Sequence, residues 1–337
     1  MSDKAVCFGK PGLPGGWPWP EVLKIIPASL RQLLGGLPAP MLSQLEEIRL
    51  RQNRPLILAF AGGDRFLDSR GGLVGSPNAA YLVSADDINR TLQLISNSSI
   101  YAVEEDLRNG YITLPGGHRV GVTGKVVLDG GRVRSLKYIS GFNVRISRDI
   151  KGIAQKVIPF IWDRRNGRTY HTLIFSPPRC GKTTLLRDVI RQLSNGVAEL
   201  GIPGMNVGVV DERSEIAGCF RGVPSLDIGL RADVLDGCPK AEGMMMLLRA
   251  MSPAVLATDE IGRPEDVAAL EEVFSAGVSV LTTVHGSSPG ELASRPGLQG
   301  LFRLRIIERL VLLGRSAGPG TLEKIFNGKT LQPLEVR

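Results

Sequence analysis

The chain has 337 residues, 43% of them apolar and 22% charged, with a formal net charge of +8. One hydrophobic core usually stops growing near about 250 residues, so more than one domain is expected. No run approaches the roughly 20 uninterrupted apolar residues of a membrane-spanning helix, and Cys7, Cys180, Cys219 and Cys238 show no metal-like spacing, so zinc is not expected and the thiols read as reduced.

The opening "MSDKAVCFGKPGLPGG" lacks the apolar segment of a signal peptide, which predicts a cytoplasmic protein. Residues 1–39 read as a flexible and helical segment. Its first part is rich in Gly and Pro, and "PEVLKIIPASLRQLLGG" gives one or two short helices stopped at Gly35-Gly36. In "EEIRLRQNRPLILAF", Ile48 and Leu50 alternate with Glu47, Arg49 and Arg51, the pattern of a half-buried strand, and a more apolar strand follows Pro55. "SADDINRTLQLIS" predicts a helix with Ser84 as N-cap and Asp86 and Asp87 in its positive first turn. Short strands then follow, punctuated by turns at Pro115-Gly116-Gly117 and Gly130-Gly131. Residues 40–150 are therefore expected to form a small α+β domain.

From about residue 151 to 337 the rhythm changes. The apolar runs "HTLIF", "NVGVV", "AVLAT" and "VSVLTTV" alternate with helical patterns, as in an α/β core with a mostly parallel sheet. Charge is also uneven along the chain. Residues 1–170 carry 23 Lys+Arg against 14 Asp+Glu, and the remainder 18 against 19. The basic excess lies in the first half, where it suits nucleic acid, acidic lipid, an acidic partner or the phosphates of a nucleotide on a neighbouring subunit.

"SPPRCGKTT", Ser176 to Thr184, stands between a strand and a helix. A phosphate cradle needs converging backbone N–H groups, a lysine for the β and γ phosphates and a hydroxyl for magnesium. Lys182 and Thr183 follow Gly181 as required, and Arg179, Cys180, Gly181, Lys182, Thr183 and Thr184 can supply the amides. Pro177 and Pro178 stiffen the entrance without removing a donor that matters. Ser176 replaces the glycine favoured for the first turn. ATP with Mg2+ is the expected ligand.

Two strands end in acid pairs, Asp211-Glu212 and Asp259-Glu260, and such ends gather at the ligand edge of an open α/β sheet. Asp259 and Asp211 are assigned to the magnesium shell with Thr183, partly through water. Glu260 is assigned to the attacking water, with Asp211 and Glu212 as supporting acids. His285, just past a fourth strand, can sense the γ-phosphate.

The order "SPPRCGKTT", "VVDERSE", "ATDEIG", "TTVHG" resembles the secretion ATPase superfamily of type II and type IV machines. "GGHRVGVTGKVV", "YISGFNVRISR" and "LDIGLRADVLDGCPKAEGMMMLLRAMSP" narrow the resemblance to the stage III sporulation AA family. The resemblance implies a RecA-like P-loop NTPase core and a cytoplasmic ATPase acting as a ring, a hexamer. That ring would sit beneath membrane-embedded channel proteins joining mother cell and forespore. It also implies ATP between subunits, with Arg119, Arg145 and Arg148 lent to a neighbouring site and Arg231 a further candidate. Two other readings stay open: a nucleic-acid-stimulated ATPase, disfavoured by only 5% aromatic residues, and a nucleotide-binding structural subunit with little turnover.

Overall fold

The computed structural model describes residues 19–97 and 103–335, so the Gly/Pro-rich opening and Cys7 lie outside the described residues. Its contacts divide the chain into two units, Met1–Ser147 and Arg148–Arg337.

The first unit is built on a seven-stranded antiparallel sheet. Its order is Leu73–Val74, Gly63–Leu67, Ile57–Phe60, Leu45–Arg51, Arg132–Arg145, His118–Asp129, Tyr111–Leu114. Ile48 and Leu50 are fully buried while Glu47 and Arg49 face outward, so the alternation in "EEIRLR" decides which side meets the core. That side is covered by the helices Pro20–Ile25, Ala28–Gly35, Ala85–Ile95 and Glu104–Asn109, which contribute Val22, Leu30, Leu34, Ile88 and Leu107 to one core. Residues 19–39 are thus part of this unit's packing. Ala85–Ile95 starts with a capping box, in which Ser84 Oγ accepts from the Asp87 N–H and the Asp87 carboxylate accepts from the Ser84 N–H.

The second unit holds another seven-stranded sheet, ordered Ala232–Asp236, Val207–Asp211, Val255–Thr258, Ser279–His285, Thr172–Ser176, Arg309–Gly314, Thr321–Asn327. Its pairings are parallel except the last, which is antiparallel. Both faces are buried, and this is why its strands read as unbroken apolar runs rather than alternations. Within Thr172–Ser176, Ile174 packs on the side of the helix Lys182–Asn195, and Leu173 and Phe175 on the side of the helices Lys240–Ala250 and Pro264–Ser275. His118 and His171 are both buried, their Nδ1 atoms accepting the N–H groups of Ser147 and Val280. Burial pushes both imidazoles below the usual histidine range.

Candidate functional site

The carboxyl ends of the parallel strands bring Ser176, Asp211, Asp259, Glu260 and His285 to one edge of the second sheet; Ser176 and His285 are direct register partners. Ser176 ends its strand fully buried and in ordinary extended backbone, its hydroxyl donating to the Pro177 carbonyl at 2.7 Å. The left-handed turns fall later, at Arg179 (φ 60°) and Gly181 (φ 83°). Pro177, Pro178 and Arg179 are exposed, Cys180 is buried, and the helix begins at Lys182. A β-carbon on Gly181 would come within 3.3 Å of Gly320, whose N–H donates to the Cys180 carbonyl. The hairpin of the last two strands therefore buttresses the loop.

Lys182 lies at the head of a three-group chain. Its ammonium sits 3.4 Å from Ser176 Oγ and 3.0 Å from His285 Nδ1, and His285 Nε2 is 2.9 Å from Glu260 Oε1. An ammonium only donates, so Nδ1 accepts, and Nε2 carries the proton toward the carboxylate. Burial pushes the Lys182 pKa down, with Glu260 opposing it. Glu260 has φ 33°, a left-handed conformation a glutamate adopts only when held there, and its N–H donates to Thr283 Oγ1 at 2.9 Å. Arg213 reaches its other oxygen at 3.4 Å.

Asp259 is 1% exposed, and its Oδ1 is buried without a hydrogen-bond partner among the described residues. Burial raises its pKa to about 7; Lys240 pulls it down, while Asp211, Glu215 and Glu260 push it further up. Lys240 opens the helix Lys240–Ala250, contacts the Glu212 carboxylate and stands 3.6 Å from Asp259 Oδ1.

Asp211 faces a different task. It is fully buried, and its two oxygens accept the N–H groups of Glu215, Ile216 and Ala217 at 2.8, 3.0 and 2.8 Å. From the phosphate-loop helix, buried Arg187 donates to the carbonyls of Glu215 and Ile216. The same loop is thus clamped through its amides by one strand and through its carbonyls by the helix.

Comparison with known proteins decides the family. The model described as "Sporulation stage III, protein AA" matches residues 19–332. The chain belongs to that family. It is 43% identical over 307 residues to Stage III sporulation protein AA of Bacillus subtilis (strain 168), spanning 91% of this chain and 94% of that relative. Among solved structures, the ATPase DotB of Legionella pneumophila is similar with a TM-score of 0.54 and 16% identity over 85% of this chain and 76% of that one. DotB of Yersinia pseudotuberculosis gives 0.54 and 14% over 87% and 78%. At such identities the likeness shows a shared fold.

In this member of the sporulation stage III AA family, Arg119, Arg145 and Arg148 occupy different surroundings. Arg119 and Arg145 are register partners on neighbouring strands, on the side away from the helices, and the Arg119 guanidinium stacks 3.6 Å above the Tyr111 ring. Arg148 is exposed at the start of the second unit. Arg231 donates to the Ser194 carbonyl, twelve residues along the helix from Lys182, about 18 Å at the usual rise. Lys240 is the site-edge residue that sequence reading missed. The signal for it is only "CPKAEG", a lysine after a proline at a helix start, in a first turn where acids are the usual choice.

Proposed function

We propose that this chain is an ATPase that works as a ring, a hexamer, and uses ATP to energise or assemble a membrane-embedded channel complex of sporulation. The observation that carries the reading is the Lys182–His285–Glu260 chain beside the phosphate loop, with buried Asp259 next to it. Arg179 to Thr184 would hold the phosphates by their amides and the Lys182 ammonium. Thr183 and Asp259 would hold Mg2+, Asp259 through water; the buried Oδ1 of Asp259, which accepts no hydrogen bond among the described residues, suits that place. The ion supplies charge neutralisation on the phosphates.

Glu260 orients and deprotonates the attacking water. A γ-phosphate and His285 compete for the same Lys182 ammonium, so loading frees His285 and lets it report the phosphate to Glu260. Asp211 and Arg187 shape the loop that carries Glu212, a role that takes Asp211 out of the metal shell. Arg119, Arg145 and Arg148 are lent to the site of a neighbouring subunit, where a cation reaching the transferring phosphoryl group is worth ~10³–10⁵ in rate.

The test is Mg2+-dependent phosphate release together with nucleotide binding. Lys182→Ala is expected to abolish binding, and Glu260→Gln to keep binding and stop turnover. Well-folded protein that neither binds nor hydrolyses Mg·ATP overturns the reading.

A further inference from the structure

The hairpin His118–Asp129/Arg132–Arg145 outruns the sheet that carries it. Its inner part is flanked on both sides, by Tyr111–Leu114 against His118–Gly121 and by Leu45–Arg51 against Gly141–Arg145. From Lys125 to Lys137 the described strands pair only with each other. The change comes at a bulge: the register passes from Thr123 opposite Gly141 to Lys125 opposite Lys137. Tyr138 sits there with φ 48°, unusual for an aromatic residue, and a β-carbon on Gly124 would lie 2.7 Å from the Lys137 carbonyl oxygen. Such bulges re-aim a strand pair.

Past the bulge the ribbon is two-faced. Val126 pairs with Leu136 and Leu128 with Val133, while Lys125 pairs with Lys137, Val127 with Ser135 and Asp129 with Arg132. With a strand period of two, Val126 and Leu128 continue the side on which Val120 and Val122 are buried. Leu136 still packs against the first unit's core, and beyond it the core-facing side of the sheet runs out past the helices that cover it. Val126, Leu128, Val133 and Tyr138 are 46%, 63%, 43% and 80% exposed, four of the fourteen exposed large apolar side chains among the described residues. A two-stranded ribbon has no second layer of its own to bury them.

Charge selects the occupant. Lys125, Arg132, Arg134 and Lys137 stand against the single acid Asp129 on this arm. A second copy offering the same arm would set four cations against four. A narrow apolar strip edged by a tyrosine, with long basic side chains on the ribbon's other face, matches the headgroup boundary of an anionic bilayer. We propose that this arm is a lipid-contacting element, its apolar strip entering an anionic membrane surface and its basic side chains meeting lipid phosphates.

Flotation of the full chain with vesicles tests this. Equal parts of phosphatidylglycerol and phosphatidylethanolamine should carry the protein upward, and phosphatidylcholine alone should not. Leu128→Asp combined with Val133→Asp should weaken flotation at least about tenfold, and Lys125→Gln with Lys137→Gln should weaken it and flatten its dependence on salt. Melting temperatures, expected to be unchanged at these exposed positions, check folding. Parent protein that stays down with the anionic vesicles overturns the proposal, as does undiminished flotation of both variants. A change of oligomeric state in the variants without lipid would make the arm a contact between subunits, and would overturn it too.

Discussion

Ser176 is fully buried at the end of its strand, its hydroxyl bonded to the Pro177 carbonyl and its backbone unstrained. Because the left-handed turns fall at Arg179 and Gly181 instead, no glycine is required there. Ser176→Gly should cost about 0.5–1 kcal/mol of stability through backbone freedom and shift ATP affinity by less than about tenfold. Calorimetry checks both; a larger gain in affinity would show that the serine obstructs the loop. Lys240→Met leaves Asp259 and Glu212 without their shared cation, and removing one partner of a buried pair typically costs about 3 kcal/mol. The variant's melting temperature should fall and be partly restored by Mg2+; an unchanged melt contradicts the arrangement. Asp259, raised to about 7 by burial, gives a pH signature. Its neutral form favours the fold, a contribution complete below the ordinary aspartate value of 3.8 and lost as pH rises toward 7. Between pH 5 and pH 8, Asp259→Asn should therefore lose less stability than the parent, and equal losses would refute the shift. That Lys182, Glu260 and His285 meet at one edge was legible because each lies at or after the end of a parallel strand. Lys240 was not, because its partners lie 28 and 19 positions away along the chain and meet it only in the fold.

Among the elements, the strands with unbroken apolar runs could be read from "HTLIF", "NVGVV", "AVLAT" and "VSVLTTV", since burial on both faces leaves no polar alternation to mislead. Ala232–Asp236 escaped, its five residues only half-buried and ending in an acid at the sheet's edge. Arg309–Gly314 and Thr321–Asn327 carry no chemical motif, so nothing in them announced that their turn would brace the phosphate loop through Gly320. The helix Lys240–Ala250 packs on Val207–Asp211 through a close approach at Gly243, where a β-carbon would meet Val210 Cγ1 at 2.6 Å. Gly243→Val should push the helix off the strand and cost about 1–3 kcal/mol. Because Lys240 starts this helix, the variant should also weaken Mg·ATP binding, which denaturant melts and a nucleotide titration would show together. Normal stability with normal binding would contradict the packing.

For the whole molecule, the basic first half resolves into particular surfaces: the outward row with Arg119 and Arg145, and the arm with Lys125, Arg132, Arg134 and Lys137. The second unit carries the phosphate loop and the acids. No helix among the described residues is long and apolar enough to cross a membrane. The central proposal is that the edge bearing Lys182, Glu260 and His285 cleaves ATP. Phosphate release from Mg·ATP, followed for the parent and Glu260→Gln side by side, tests it most directly. Release by the parent and a fall of at least about 10²-fold in the variant is the expected result; no release from the parent, or equal release from both, would contradict it.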